Sequence, residues 1–236
     1  MTEAQKVTIV TGASQGIGES LVTAYRKLGY RVVAVSRSIR ESDDPEVFTI
    51  QTDLSRPGAG VDVVERTLAK FGRIDTLVNN AGIFLAKPFT EYTDEDYDAI
   101  TGVNLRGFFG ISRGAVAAMV AQGGGHVVSV STTLVDHAMS QVPSALASLT
   151  KGGLNAVTKS LAIEYAARNV RVNAVALGII ETPMHAPETH EFLAGLHPLG
   201  RLGQIDEVVD AILFLENNRF VTGEILHVDG GQSAGH

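Results

Sequence analysis

The run Thr11-Gly12-Ala13-Ser14-Gln15-Gly16-Ile17-Gly18 follows a short β-branched stretch and opens a helical pattern. Glycines at such a junction let the backbone turn tightly and approach a pyrophosphate closely. The first turn of the helix adds free amides and the positive end of its dipole. Three residues separate Gly12 from Gly16, a spacing that differs from the commoner dinucleotide fingerprint. An ordinary strand-to-helix turn would explain the glycines alone, but a strand before them and a helix after them favour a phosphate cradle. Dinucleotide sites selective for NAD carry an acidic residue after the second strand, where it accepts hydrogen bonds from the ribose hydroxyls. Here that place holds Ser36 and Arg37. A carboxylate would repel a phosphate on the ribose, whereas a hydroxyl and a guanidinium can bind one. The pair points to NADP(H) as the preferred cofactor, with NAD(H) still accommodated; the alternative is that Arg37 is a solvated loop arginine.

Other reactive groups are few. The chain has no cysteine, which excludes disulfides, thiolate metal sites and cysteine nucleophiles. His185, His190 and His197 have no metal-ligand spacing and are expected mostly in solvent. A formal net charge of -7 disfavours a general nucleic-acid binder, which needs a cationic face. No apolar stretch approaches the length of a membrane span. The polar start from Met1 to Lys6, with Glu3, resembles neither a secretory signal nor a transit peptide. The expectation is a cytoplasmic protein acting on a small molecule, with no nucleic-acid or membrane partner.

Short strands alternating with longer helical patterns must position these groups, which is the signature of a parallel sheet covered by helices on both faces. The strands are predicted at Val7 to Val10, Arg31 to Val35, Val47 to Gln51, Thr76 to Val78, His126 to Val130, Arg171 to Val175 and Ile225 to Val228. Helices are predicted at Ile17 to Leu28, Val61 to Phe71, Asp94 to Val103, Phe108 to Ala121, Ser144 to Ala167 and Ile205 to Leu215. Thr93 and Asp96 form a capping pair for the third, and Gly123, Gly124 and Gly125 end the fourth. The fold class is α/β, a single-domain doubly wound Rossmann fold spanning 1–236, with a seven-stranded parallel sheet. Residues 178–203 have no clear pattern, and so long a loop reads as a variable substrate loop.

In order and spacing these residues resemble the short-chain dehydrogenase/reductase family over essentially the whole chain. Asp53-Leu54 looks like the family's adenine-contacting pair, and Asn79-Asn80-Ala81-Gly82 like its strand-four signature. Asn104 matches the asparagine that holds a water of the proton relay. Lys151 matches the lysine that binds the nicotinamide ribose and lowers the pKa of a catalytic tyrosine. Gly178-Ile179-Ile180-Glu181-Thr182-Pro183 matches the start of the substrate loop, with Ile180 and Thr182 implied beside the cofactor and Thr182 at its carboxamide. The family assembles through long helices, and the alanine-rich patterns Phe108 to Ala121 and Ser144 to Ala167 suit a homotetramer.

Three departures stand out. The family's tyrosine lies one helical turn before the lysine, on the same face, and Ala147 occupies that position. The paired serines after the fifth strand are Ser131-Thr132, followed by Thr133 and a connection longer than usual. Leu177 stands where a proline normally precedes Gly178. Two readings follow. Either the protein is an oxidoreductase with atypical proton delivery, or it is a non-catalytic NADP(H)-binding sensor, scaffold or partner subunit. For the first, the substitute proton donor is either His137 in the lengthened loop, unless it is a plain surface histidine, or Lys151 acting through a water held by Asn104. Leu177, Ile179, Ile180, Met184, Phe192, Leu193 and Leu196 fit a lipophilic or mixed ligand, or simply pack the loop.

Overall fold

The β-branched runs form the strands Val7–Thr11 (β1), Arg31–Ser36 (β2), Val47–Gln51 (β3), Thr76–Asn79 (β4), Gly125–Thr132 (β5), Val170–Leu177 (β6) and Ile225–Val228 (β7). In this computed structural model, which describes residues 4–235, they lie parallel in one sheet of order β3-β2-β1-β4-β5-β6-β7. Met1, Thr2 and Glu3 of the polar start lie outside the described residues. All of β1 is buried, as expected of a strand covered on both faces.

Helices cover the two faces. Gly16–Lys27 (α1) and Ile205–Asn217 (α7) pack one, while Ala59–Phe71 (α2), Phe108–Gln122 (α4) and Ala145–Tyr165 (α5) pack the other. Strand alternation divides the core: Ile9 and Val33 join Val63 and Ile111 on the α2/α4 side. Val10 and Val32 join Leu21 and Ile212 on the α1/α7 side. Each such side chain contributes roughly 1.5–3 kcal/mol when buried. At the base of the sheet, Glu216 anchors α7 to the strands. It accepts hydrogen bonds from Tyr30 at 2.8 Å and Thr76 at 3.0 Å and pairs with His126 Nδ1 at 2.8 Å.

Most predicted elements differ from the observed ones by one or two residues at their ends, and a few differ more. Asp94–Thr101 (α3), capped by Thr93 and Asp96 as predicted, runs through a π-helical turn, Gly102–Gly107, directly into α4. Sequence periodicity saw two separate helices because a widened turn breaks the helical period without ending the backbone ladder. Gly123 and Gly124 leave α4 with positive φ, but Gly125 already belongs to β5. Ser144 and Ala166 flank α5 instead of extending it. Within the patternless stretch, His190–Ala194 (α6) forms one short helix.

Strand order reverses between β1 and β4, and the connections leaving their carboxyl ends run to opposite faces of the sheet. Ligands of open α/β sheets bind at such switch points.

Candidate active site

The turn after β1 enters this crevice. Gly12 and Gly16 have φ of +67° and +58°, the left-handed region that favours glycine. A Cβ on Gly18 would lie 2.1 Å from the Gly12 carbonyl oxygen, so only glycine lets α1 start this close to the turn. Gln15 precedes the helix in extended backbone, and no side chain caps its amides. They remain available to an anion. Thr11 and Asn80 hold the turn to β4: Thr11 Oγ1 accepts the amides of Asn80 at 3.0 Å and Ala81 at 2.9 Å. Asn80 Nδ2 donates to the Thr11 carbonyl at 2.9 Å. Asn80 thus braces the loop from behind, a role the resemblance alone did not reveal.

A cleft of about 300 Å³ runs along this turn, lined by Gly12, Ser14, Gln15, Gly16, Ile17, Gly18, Ser36, Arg37, Asp53, Leu54, Asn80, Ala81, Gly82 and Thr182. All were singled out in the sequence. Ser38, missed there, also lines it and donates to Ser14 Oγ at 3.3 Å. Ser14, Ser36, Arg37 and Ser38 therefore give one end of the cleft hydroxyls and an exposed guanidinium, donors suited to a phosphate. Asp53 is held below the usual carboxylate range, first by a hydrogen bond from Ser55, with Arg37 adding a weaker electrostatic pull.

Ile17, Asn80, Gly82, Ile83, Thr182 and Met184 also border a second, largely apolar cavity of about 450 Å³. Ser131, Thr132, Ala147, Lys151 and Ile180 line it. Ile180 is buried, forms a lone parallel bridge with Gly203, and faces this cavity instead of the dinucleotide cleft. Ser131 Oγ is buried with no hydrogen-bond partner among the described residues. Thr132 Oγ1 accepts the Leu134 amide at 3.3 Å, which leaves its own O–H free to donate. Ala147 is 2% exposed; no phenol occupies the space one turn before Lys151.

Lys151 lines the larger cavity, and its Nζ lies beside Gly82, a residue that borders both cavities. Nζ donates to the Val130 carbonyl at 2.7 Å, and burial lowers its pKa from 10.5 to about 8. A Cβ on Gly82 would lie 3.1 Å from Nζ and 3.4 Å from Asn104 Oδ1, so the glycine makes room for both groups. The π-helical turn aims Asn104 inward, but its amide is already committed. Oδ1 accepts from Ile83 N at 3.0 Å, while Nδ2 donates to Ile83 O at 3.1 Å and Thr150 Oγ1 at 3.2 Å. Asn104 does not line the larger cavity.

His137 is half-buried on the loop after β5 but is not part of the cavity wall, to which that loop contributes Met139, Gln141 and Val142. The histidines of 178–203 are less exposed than expected. His197 is buried and accepts the Ile179 amide at Nε2, 2.9 Å away, latching the loop to the end of β6. His185 lines the cavity, and burial lowers its pKa. Spacing gave no sign of either role, because both depend on where an irregular loop folds back. Among the described residues, no cluster of His, Asp and Glu is arranged to hold a metal ion. None of their helices is long and apolar enough to cross a membrane.

The switch-point crevice, the glycine turn and the adjoining cavity define a dinucleotide-binding protein of the doubly wound type. Residues 12–233 match a family model described as Enoyl-(Acyl carrier protein) reductase. The chain is 38% identical to the 3-oxoacyl-[acyl-carrier-protein] reductase FabG of Thermotoga maritima, over 96% of this chain and 97% of that protein. It is 39% identical to L-xylulose reductase of Mus musculus, over 94% of each. Among solved structures it is similar to ElxO with NADP bound, with TM-score 0.91 and 29% identity over 98% of this chain and all of that one. The chain belongs to the short-chain dehydrogenase/reductase family and is an NAD(P)-dependent oxidoreductase.

Proposed function

We propose that this protein interconverts a carbonyl and an alcohol on a small, partly apolar substrate with NADP(H), and that Lys151 moves the proton that a tyrosine moves elsewhere in the family. The observation that carries this reading is that Lys151 and Ala147 line the same cavity, with Lys151 Nζ beside Gly82, which also borders the dinucleotide cleft. Bound cofactor supplies the hydride in reduction and takes it up in oxidation. Ser131 and Thr132 offer hydroxyls to the substrate oxygen. Neither is acidic enough near neutral pH to protonate an alkoxide, whereas an ammonium with pKa of about 8 is close to the working range of a general acid. Lys151 keeps one N–H on Val130 and has others for the cofactor ribose and the substrate oxygen. His137, away from the cavity wall, is left out of the reaction, and Asn104 positions the Ile83 backbone beside Gly82.

The glycine turn would hold the pyrophosphate, Asp53 and Leu54 the adenine end, and Thr182 the carboxamide. Ser14, Ser36, Arg37 and Ser38 would hold the ribose phosphate. Arg37→Ala should weaken NADPH by about ten- to a hundredfold, since a charge-assisted bond is worth roughly 1.5–3 kcal/mol, and leave NADH nearly unchanged. Titration with both cofactors checks this; equal losses would mean that Arg37 only supports the loop.

The reading includes a single domain of 1–236, a cytoplasmic location and a homotetramer. Exposed Phe109, Leu149 and Ile163 on α4 and α5 support the assembly. Light scattering should give four times the 25.0 kDa chain mass, and a monomer at micromolar concentration would refute it. The activity itself is tested by incubating the pure protein with NADPH and a panel of carbonyl, enone and imine compounds while following the absorbance of the reduced cofactor. Oxidation by at least one ketone supports the reading, and oxidation by none contradicts it.

A further inference from the structure

The segment after β7 closes the apolar cavity, and a polar side chain sits in that wall. Gln232 is 1% exposed and lines the cavity together with Met139 of the loop after β5. Its Nε2 reaches only the Met139 sulfur, at 3.1 Å, and its Oε1 has no partner among the described residues. A buried amide oxygen left unpaired is costly, on the order of 1–3 kcal/mol. Leucine or methionine would fill an apolar wall without that cost.

The side chain is also held in place. Thr133 Oγ1 donates to Asp229 Oδ2 at 2.8 Å, and Asp229 accepts the Gly231 and Ser233 amides at 3.0 and 2.9 Å. These bonds fix the tail at 229–233 against the start of the lengthened loop. His227 Nε2 and Asp136 Oδ2, 3.0 Å apart, tie the same loop to β7. The loop whose length departs from the family's pattern thus packs on the tail that carries Gln232.

We propose that Gln232 is a specificity-determining residue: its Oε1 accepts a hydrogen bond from a second polar group on the substrate, a hydroxyl or N–H donor away from the reacting carbonyl. The proposal rests on the carbonyl-reductase reading and deepens it. The substrate class is then an apolar carbonyl compound bearing one further donor. A bare hydrocarbon ketone would leave Oε1 unpaired and should bind less well.

The test is equilibrium binding to the NADP+-saturated protein, where no reduction of the ketone can occur. The probes are cyclohexanone, 3-hydroxy-3-methylcyclohexanone and 4-hydroxy-4-methylcyclohexanone, whose tertiary hydroxyls NADP+ cannot oxidise. At least one hydroxyketone should bind about tenfold more tightly than cyclohexanone. Gln232→Met removes the acceptor at similar volume and should abolish that advantage while changing cyclohexanone affinity less than twofold. Gln232→Glu keeps an acceptor and should retain the advantage. Thermal unfolding of each variant confirms that it is folded, and if the Met variant is not, Gln232→Leu replaces it. Equal binding of all three ketones to the wild type, or an undiminished preference in a folded Met or Leu variant, overturns the role of Gln232 alone. Failure of all three ketones to bind overturns the carbonyl reading on which it rests.

Discussion

Ala147→Tyr should raise ketone reduction, by less than the roughly 10²- to 10⁴-fold that a positioned general acid usually contributes, because Lys151 already delivers a proton in the wild type. Ala147 lies one turn before Lys151 on the same face of α5 and lines the larger cavity, so a phenol there projects toward the reacting groups instead of into the packed core. Lys151 would lower the pKa of that phenol, and Ser131 and Thr132 would offer hydroxyls to the substrate oxygen. The wild type should correspondingly bind NADPH well but reduce simple ketones slowly, since binding depends on the glycine turn and turnover on proton delivery. Steady-state rates with saturating NADPH check this. The competing effect is overpacking, which costs typically about 1–3 kcal/mol and would show as a lower unfolding temperature. A folded, NADPH-saturated Ala147→Tyr variant with no gain on any ketone would mean that the surrounding groups are not arranged for this chemistry.

Lys151→Met should reduce kcat by about 10²- to 10⁴-fold, in a protein that folds at least as well as the wild type. The stability sign follows from burial. The folded chain releases the lysine proton near pH 8 and the unfolded chain near 10.5. Across that interval the unfolded state binds more protons, so stability rises with pH. Below about pH 8 the full desolvation cost of the ammonium persists. The Met variant should lose this rising slope, which thermal unfolding at pH 7.5, 9 and 10.5 would reveal. NADPH affinity must be measured separately, because the same ammonium is also proposed to hold the ribose. A Met variant that binds NADPH and retains wild-type kcat would remove Lys151 from the chemistry.

The sheet was legible in the sequence because β-branched runs buried on both faces stand out from the amphipathic helices between them. The phosphate turn was legible because Gly12, Gly16 and Gly18 meet backbone demands that other residues cannot satisfy. What escaped depended on irregular backbone. The π-helical turn at 102–107 has no repeating period to detect. His197 looked like one loop histidine among three, and only the fold of that loop brings it to the Ile179 amide. Ser38 lay one position beyond the residues singled out after β2. Gln232 is far in sequence from the other cavity residues, and its place in the wall follows from the way the tail docks on the loop after β5. At Asn104 the resemblance implied a relay role without indicating that Ile83 and Thr150 engage its side-chain amide.

The central claim is that Lys151 is the acid, and the pH dependence of kcat/KM for NADPH-driven reduction of the fastest ketone in the panel tests it most directly. Reduction requires the ammonium. The wild type should therefore show a plateau below pH 8 and a fall of about tenfold per pH unit above it, with the break near the lysine pKa of about 8. Alcohol oxidation, which requires the free amine, should rise over the same range. A reduction rate that stays level to pH 10, or a break near pH 8 that persists in Lys151→Met, would contradict the account.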